Sequence, residues 1–564
     1  MPLGTRGAVL LVALMGALSL EASADKVTVM DPVFVEASPV GNRGASGRSW
    51  QYLSIPGFEI LSRCPDGFNA AFVRALQKGN AARLALLPEA FWGQLATPIK
   101  IVLYNRPPEP QEGVWRAPID LSWSAEDSAI IGLGSMQESH PVTLGDGDTF
   151  INCGNYWNTQ PSDSDFSVDV DSAILLGIRA PHFPAWFIEG VVGPRGVNAH
   201  RVTRSTLSGD ILLLPNALWT YSSETQELQK KAAAAAIDGG RRQSLELLPL
   251  GTLLSGTVEG AQGNLWSAEA ALFVRWGLFK SGNRQGFLDF VTEASQVPVT
   301  EDLFRKHLKL SYIEAQQQLE DYAFLAVNEP LRIPVDVPAA PKEAFRDATS
   351  TEVARIIGDW GRLEGRATDP ADLEYKQECL EQADRLFERI IARKEQDPLF
   401  LAAFGLYEID AKDYTRARKA LEAATAAEVV RPRAYLELAR LRLDMTLSGF
   451  QEGIGDLNQT DYSEILNLLS TTQMQMPALL GTYYVYARAF EHAPVKPQMV
   501  DMRVLEEGIR IFPQNANLAY KVATLYKRLG YPDDAKAVVE RAMKHAESEH
   551  DRKLLSEFSQ QGVR

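Results

Sequence analysis

The sequence predicts an α+β domain followed by an all-α solenoid. Three observations carry this. Between residues 55 and 330 short apolar strands come first and helical patterns follow, the order of a small sheet with segregated helices. Residues 330–341, PLRIPVDVPAAP, hold four prolines and no helical period. Proline fixes φ and removes a donor, so an extended joint is expected there, assigned as a linker over 331–342. Beyond it, over 343–564, nearly everything reads as helix, with landmarks recurring every 34 residues.

The first segment reads as a removable leader. Arg6 precedes an apolar run, residues 7–20, that is too short to span a bilayer. Ala22-Ser23-Ala24 fits a small-x-small cleavage site, so residues 1–24 are expected to be a signal peptide and 25–54 an N-terminal extension. No later stretch reaches the roughly 18 apolar residues of a membrane span. The expected location is therefore exported, periplasmic or extracellular, in or around a bacterial envelope. In that setting Cys64 and Cys153 form a possible disulfide, whereas Cys379 falls in a helical pattern as a small buried apolar residue.

Within 55–330 the expected elements follow in order. Gly57 to Leu61 is a short strand, and Phe68, Phe72, Leu76 and Leu84 mark one face of a helix. Residues 99–105 (IKIVLYN) and 128–134 (SAIIGLG) read as strands, with a third near Thr149–Cys153. Downstream of these the pattern is mainly helical.

Composition removes several functions. Fifty-seven basic against 72 acidic residues leave a net charge of −15 over 564 residues, the wrong sign for a nucleic-acid binder. Three cysteines exclude a disulfide scaffold and a thiolate zinc cluster. The chain holds no G-x-S-x-G, no P-loop and no CxxC.

In the C-terminal part Ala383 and Phe387 recur as Ala417 and Leu421, and Pro398 as Pro432. Leu401-x-x-Phe404-Gly405 recurs as Tyr435-x-x-Leu438-Ala439. Leu505 and Gly508 recur as Val539 and Ala542, and the last pair of helices also carries Ala523, Tyr526 and Ala535. Small residues at fixed spacing let antiparallel helices approach, and large ones fill the gap. These residues resemble the tetratricopeptide repeat (TPR) over about 364–550, with good repeats at 398–431 and 516–549 and an irregular stretch at 446–480. The resemblance implies a curved scaffold that holds protein or peptide partners.

One stretch looks like chemistry. Pro184-Ala185-Trp186-Phe187-Ile188-Glu189-Gly190 resembles the segment carrying the third zinc ligand in gluzincin metallopeptidases, particularly the peptidase-MA-like group. Residues 247–254 (LLPLGTLL), 265–291 and 301–324 follow that family's order, so the resemblance spans roughly 55–324. It implies a thermolysin-like, gluzincin-like α+β domain in which the Glu189 position binds metal. A preceding helix then supplies HExxH, its two histidines one turn apart. Counting back from Glu189 puts HExxH at 169–173, where the chain has Asp169, Val170, Asp171, Ser172 and Ala173. No histidine stands between His140 and His182. Asp169, Val170, Ala173 and Glu189 are thus vestigial active-site positions, and no catalytic residue, metal or cofactor is assigned. Asp165 and Asp169 are one turn apart with Asp163 and Asp171 nearby, an all-oxygen set that would suit a hard cation better than zinc. Residues 161–165, PSDSD, read instead as a polar turn capping the next helix. Trp186 is a cleft candidate, although an aromatic at such a junction usually fills the core.

The expectation is an exported, non-catalytic pseudo-metallopeptidase with a repeat scaffold, binding proteins or peptides, with no nucleic acid and no membrane span after cleavage. The alternatives are an active hydrolase with an atypical metal site around Glu189, and a purely structural envelope assembly factor.

Overall fold

The structure, a computed structural model, describes residues 49–103, 122–125, 128–133, 143–144, 148–149, 170–192, 211–213, 247–256, 261–326, 331–333, 344–367, 373–448, 456–546 and 548–560. The leader expected over 1–24 lies outside the described residues.

Strand β1 (Gln51–Ile55) turns back into β2 (Phe58–Ser62) through Pro56-Gly57. Pro56 presets one φ, and Gly57 takes the positive φ of 83° that a side chain would resist. Helix α1 (Asp66–Leu86) crosses to β3 (Ile99–Leu103), which lies parallel to β2 with Ile60 opposite Ile101. The hairpin of β4 (Ser122–Ala125) and β5 (Ser128–Leu133) follows, β5 lying parallel to β3. Two small pairs stand apart: β6 (Thr143–Leu144) with β7 (Asp148–Thr149), and β8 (Ile211–Leu213) with β9 (Leu331–Ile333). Strand β10 (Arg346–Asp347) returns to pair with β1, so the sheet runs β10-β1-β2-β3-β5-β4.

Three expected boundaries move. The sheet begins at Gln51, upstream of residue 55, because β1 is hydrogen-bonded along its whole length to β2. The linker expected at 331–342 opens with a paired strand, since Leu331–Ile333 answers Ile211–Leu213. The repeat segment expected from 343 first contributes β10 to the sheet. Helix α1 carries one further correction. Phe68, Phe72 and Leu76 are buried, but Leu84 is 43% exposed. Eight residues drift about 80° around a helix at 100° per residue, and Ala82 and Leu86 close the buried face instead.

Eight helices complete the first half: α1, then α2 (Val170–Gly177), α3 (Ala185–Val192), α4 (Leu250–Ser255), α5 (Ala261–Phe279), α6 (Arg284–Ala294), α7 (Glu301–Leu308) and α8 (Tyr312–Ala326), counted among the described residues. They share one core with Leu53, Ile55, Phe58, Ile60, Ile99 and Ile101 from one face of the sheet.

Helical hairpins follow: α9 (Ser350–Ala367) with α10 (Leu373–Ile391), α11 (Pro398–Ala411) with α12 (Tyr414–Ala426), and α13 (Pro432–Ser448) with α14 (Gln459–Met474). Then come α15 (Leu480–Glu491) with α16 (Met499–Ile511), α17 (Ala516–Arg528) with α18 (Pro532–Met543), and a closing helix α19 (Glu549–Gln560). The second half is therefore an all-α solenoid. The stretch 446–480, expected to be irregular, contains the end of α13 and the whole of α14. Local chemistry sets the starts. Asp397, Asp413, Asn458 and Asn515 each accept the backbone N–H three residues on, the N-cap bond that replaces a missing helical partner. Pro398 and Pro532 occupy first-turn positions where no N–H is needed.

Small residues set the crossings. A Cβ on Gly405 would lie 2.7 Å from Leu421 Cγ, and one on Gly358 would lie 2.6 Å from the Phe387 ring. Gly405, Leu421 and Phe387 are recurring positions of the sequence, and each glycine meets its large partner within one hairpin. Ion pairs then tie the first helices of successive hairpins: Arg362–Asp410 at 3.2 Å, Arg488–Asp444, and Lys521–Glu491 at 3.4 Å.

Gly405→Ala is expected to destabilise the chain. Overpacking costs about 1–3 kcal/mol, offset by up to ~1 kcal/mol of helix propensity. Urea unfolding should show a lower midpoint with an unchanged slope, and an unchanged midpoint would contradict the Gly405–Leu421 crossing.

Candidate functional site

The segment with the peptidase resemblance forms α3, preceded by Pro184. Trp186 through Val191 are all buried, which follows from an almost unbroken apolar run. Gly190 has a steric role: a Cβ there would stand 2.6 Å from the Ala270 carbonyl oxygen and 2.5 Å from Val274 Cγ2 of α5. The glycine thus lets α3 and α5 approach backbone to backbone.

Trp186 is no cleft residue. It is 1% exposed and sits in an aromatic cluster, stacked on Phe290 at 6.0 Å and edge-on to Phe273 at 5.3 Å. Rings of this size bury most of their area wherever helices meet, and edge-to-face pairs add to that.

Glu189, three residues on from Trp186 in α3, is 7% exposed. Its Oε1 accepts a hydrogen bond from Ser267 Oγ of α5. Helix α2, where the histidine motif was expected, lies beside α3 and carries Val170 and Ala173; Asp169 lies outside the described residues. Zinc does not fit the residues present. One carboxylate bonded to a serine is a poor substitute for a set of three soft or borderline donors. Among the described residues no group of three His, Cys, Asp or Glu side chains is gathered closely enough to hold a metal.

Sequence reasoning missed two polar residues here, Ser267 and Glu269. Their signal was a serine and a glutamate inside the apolar run LWSAEAALF of α5. Glu269 is 1% exposed, and both its oxygens accept from the Leu248 N–H, at 2.9 and 3.1 Å. Burial pushes its carboxyl up to about 8, against the smaller opposing effect of that backbone bond. Leu248 belongs to the loop before α4, so Glu269 pins the LLPLG segment onto α5.

Cys64 is disulfide-bonded, and Cys379 is a buried thiol on α10. Cys153 lies outside the described residues. Among the described residues no helix is long and apolar enough to cross a membrane.

The repeat array offers a different kind of surface. Its last hairpin presents Asn517, Thr524, Lys527 and Arg528 of α17 to solvent, beside a buried row of Leu518, Val522 and Leu525.

No protein-family model matches the chain, and no curated protein matches it. Among solved structures it is similar to the MamA protein, with 14% identity over 35% of this chain and 91% of that one. It is also similar to TTC0263, a thermophilic TPR protein of Thermus thermophilus, with 14% identity over 37% of this chain and 100% of that one. The TM-score is 0.26 in both cases. The repeat character of the second half rests on its own hairpins, caps and glycine contacts.

Two substitutions test the site. Between pH 4.5 and about 8 the folded state holds a proton on Glu269 that the unfolded chain has lost, so stability falls as pH rises through that window. Glu269→Gln removes this titration while keeping an acceptor for Leu248. The variant should gain on the parent as pH rises across the window, by at most about 1.4 kcal/mol per pH unit, as read by urea unfolding. Gly190→Ala should lower stability by about 1–3 kcal/mol, because the Ala270 backbone cannot give way as a side-chain tip could.

Proposed function

We propose that the chain is an exported, non-catalytic pseudo-metallopeptidase joined to a TPR-like scaffold, and that it binds protein or peptide partners in a bacterial envelope. The observation that carries the reading is Glu189, the one ligand position retained from the resemblance. It is buried and bonded to Ser267. A carboxylate held this way, with no histidine at the two partner positions, has neither the donors for a metal nor a base to activate water. The order of elements around it supports the family reading, since α2 and α3 stand adjacent as the family plan requires. The hairpin array supports the scaffold reading, because stacked helix pairs present extended surfaces suited to polypeptides.

A purely structural role in envelope assembly draws support from one feature. The first helices of the leading hairpins are covered on all sides: Phe400 to Glu408 of α11 are buried without a break.

Metal analysis of the purified protein is expected to find no stoichiometric zinc, in the parent and in Glu189→Gln alike. Stoichiometric zinc in the parent that disappears in Glu189→Gln would overturn the non-catalytic reading in favour of an active metal site.

A further inference from the structure

Strands β2 and β3 at the centre of the sheet are buried on both faces. Trp50, Tyr52, Leu61 and Val102 point away from the first core and join a second one, built with residues of α9 to α13. Two charged side chains on that face, Glu59 and Lys100, are also buried. Each has an answer on the repeat array or at its joints. Glu59 takes a bidentate bond from Arg355 of α9, at 2.8 and 2.9 Å, and a third bond from Tyr52 Oη at 2.5 Å. Lys100 lies in the field of Asp359 of α9, whose two oxygens accept from Arg362 at 2.9 Å and from Arg431, just before α13, at 2.8 Å. Arg362 continues to Asp410 of α11 at 3.2 Å. Backbone bonds complete the seam: Ala348 N–H to the Trp50 carbonyl, and Ala96 N–H to the Met476 carbonyl beyond α14, both 2.8 Å.

The helices record the same seating. Val353 to Leu363 of α9, Phe400 to Glu408 of α11 and Pro432 to Ala439 of α13 are buried on every side. Their hairpin partners α10, α12 and α14 each keep an exposed face, as does α17. A helix buried all round needs cover on the side its own repeat neighbours do not reach. On α9 that cover is the sheet, and α11 and α13 join the same core.

We infer that the first helices of the leading three hairpins form an intramolecular seat for the sheet, closed to outside polypeptides, so that sheet and seat open only together. The inference rests on the scaffold reading and narrows it: without unseating the sheet, a partner can dock on the array beyond α14 or on the exposed faces of α10, α12 and α14, but not on the first helices of the leading hairpins. The charge network suits a specific seat. A buried pair is worth little net against an apolar substitute, but losing one partner strands the other. Register is thereby enforced between Glu59 and Arg355, 296 residues apart.

Native-state hydrogen exchange of the full chain tests this. Peptides covering 58–62, 99–103, 350–367 and 398–411 should share one opening free energy. Glu59→Gln should accelerate all four by a common factor, on the order of 10² to 10³ for a stranded buried partner, and leave 516–543 unchanged. Should that variant fail to fold, Tyr52→Phe, which removes one bond to Glu59, should show the same pattern at a smaller factor. Faster exchange in the strands with parental protection in 350–367 and 398–411 would overturn the seat. Equal acceleration through 516–543 would overturn its restriction to the leading hairpins. Neither outcome depends on a partner being found, so failure of the seat and failure of the scaffold reading are separable.

Discussion

A sheet that is apolar on both faces must be covered on both, and this requirement organises the molecule. Strands β2 and β3 are buried at every position. That pattern belongs to parallel sheets enclosed by helices, not to half-solvated ones. Eight helices of the first half cover one side, and the repeat array covers the other. The two charges that interrupt the second face, Glu59 and Lys100, are tolerable only because arginine and aspartate meet them there. Burial alone would raise the Glu59 carboxyl, yet the hydrogen bonds and charge of Arg355 hold it below its ordinary range. Burial pushes Lys100 down to about 8. Both shifts are downward, which favours the charged form of Glu59 and the neutral form of Lys100.

Much of this architecture was legible in the sequence where it repeats locally. The apolar runs at 99–105 and 128–134 hold strands over 99–103 and 128–133 among the described residues. The helix periods and the 34-residue spacing survive as hairpins in which Gly405 touches Leu421. What was not legible is what joins distant residues. Nothing in Arg346-Asp347 announces a strand, because two residues carry no period; only the register with Gln51 and Tyr52 makes them one. The hairpin of α13 and α14 was obscured because it departs from the repeat spacing while remaining helical. Of the candidate site, Glu189 was found by motif, but its partner Ser267 is 78 residues away and no spacing rule connects them.

The peptidase-like motif illustrates how residues persist for reasons other than reaction chemistry. Gly190 serves a helix crossing, Trp186 fills an aromatic core, and Glu189 is a bonded carboxylate between helices. Each role would hold those residues in place without any metal. A string that looks catalytic is then equally a packing solution for two short helices, and the distinction lies in the neighbours the string does not include.

Strand β10 has a consequence for how the chain is made. β1 emerges from synthesis almost 300 residues ahead of the strand that borders it, with Ser49 and Asp347 298 apart where they meet. Until α9 and α11 follow, one side of the sheet has no cover and its apolar strands stay open to misassociation. Long-range closure of this kind is slow, since loop entropy is lost before any contact repays it. The interval in which the nascent sheet stands open lasts until α11 has been translated.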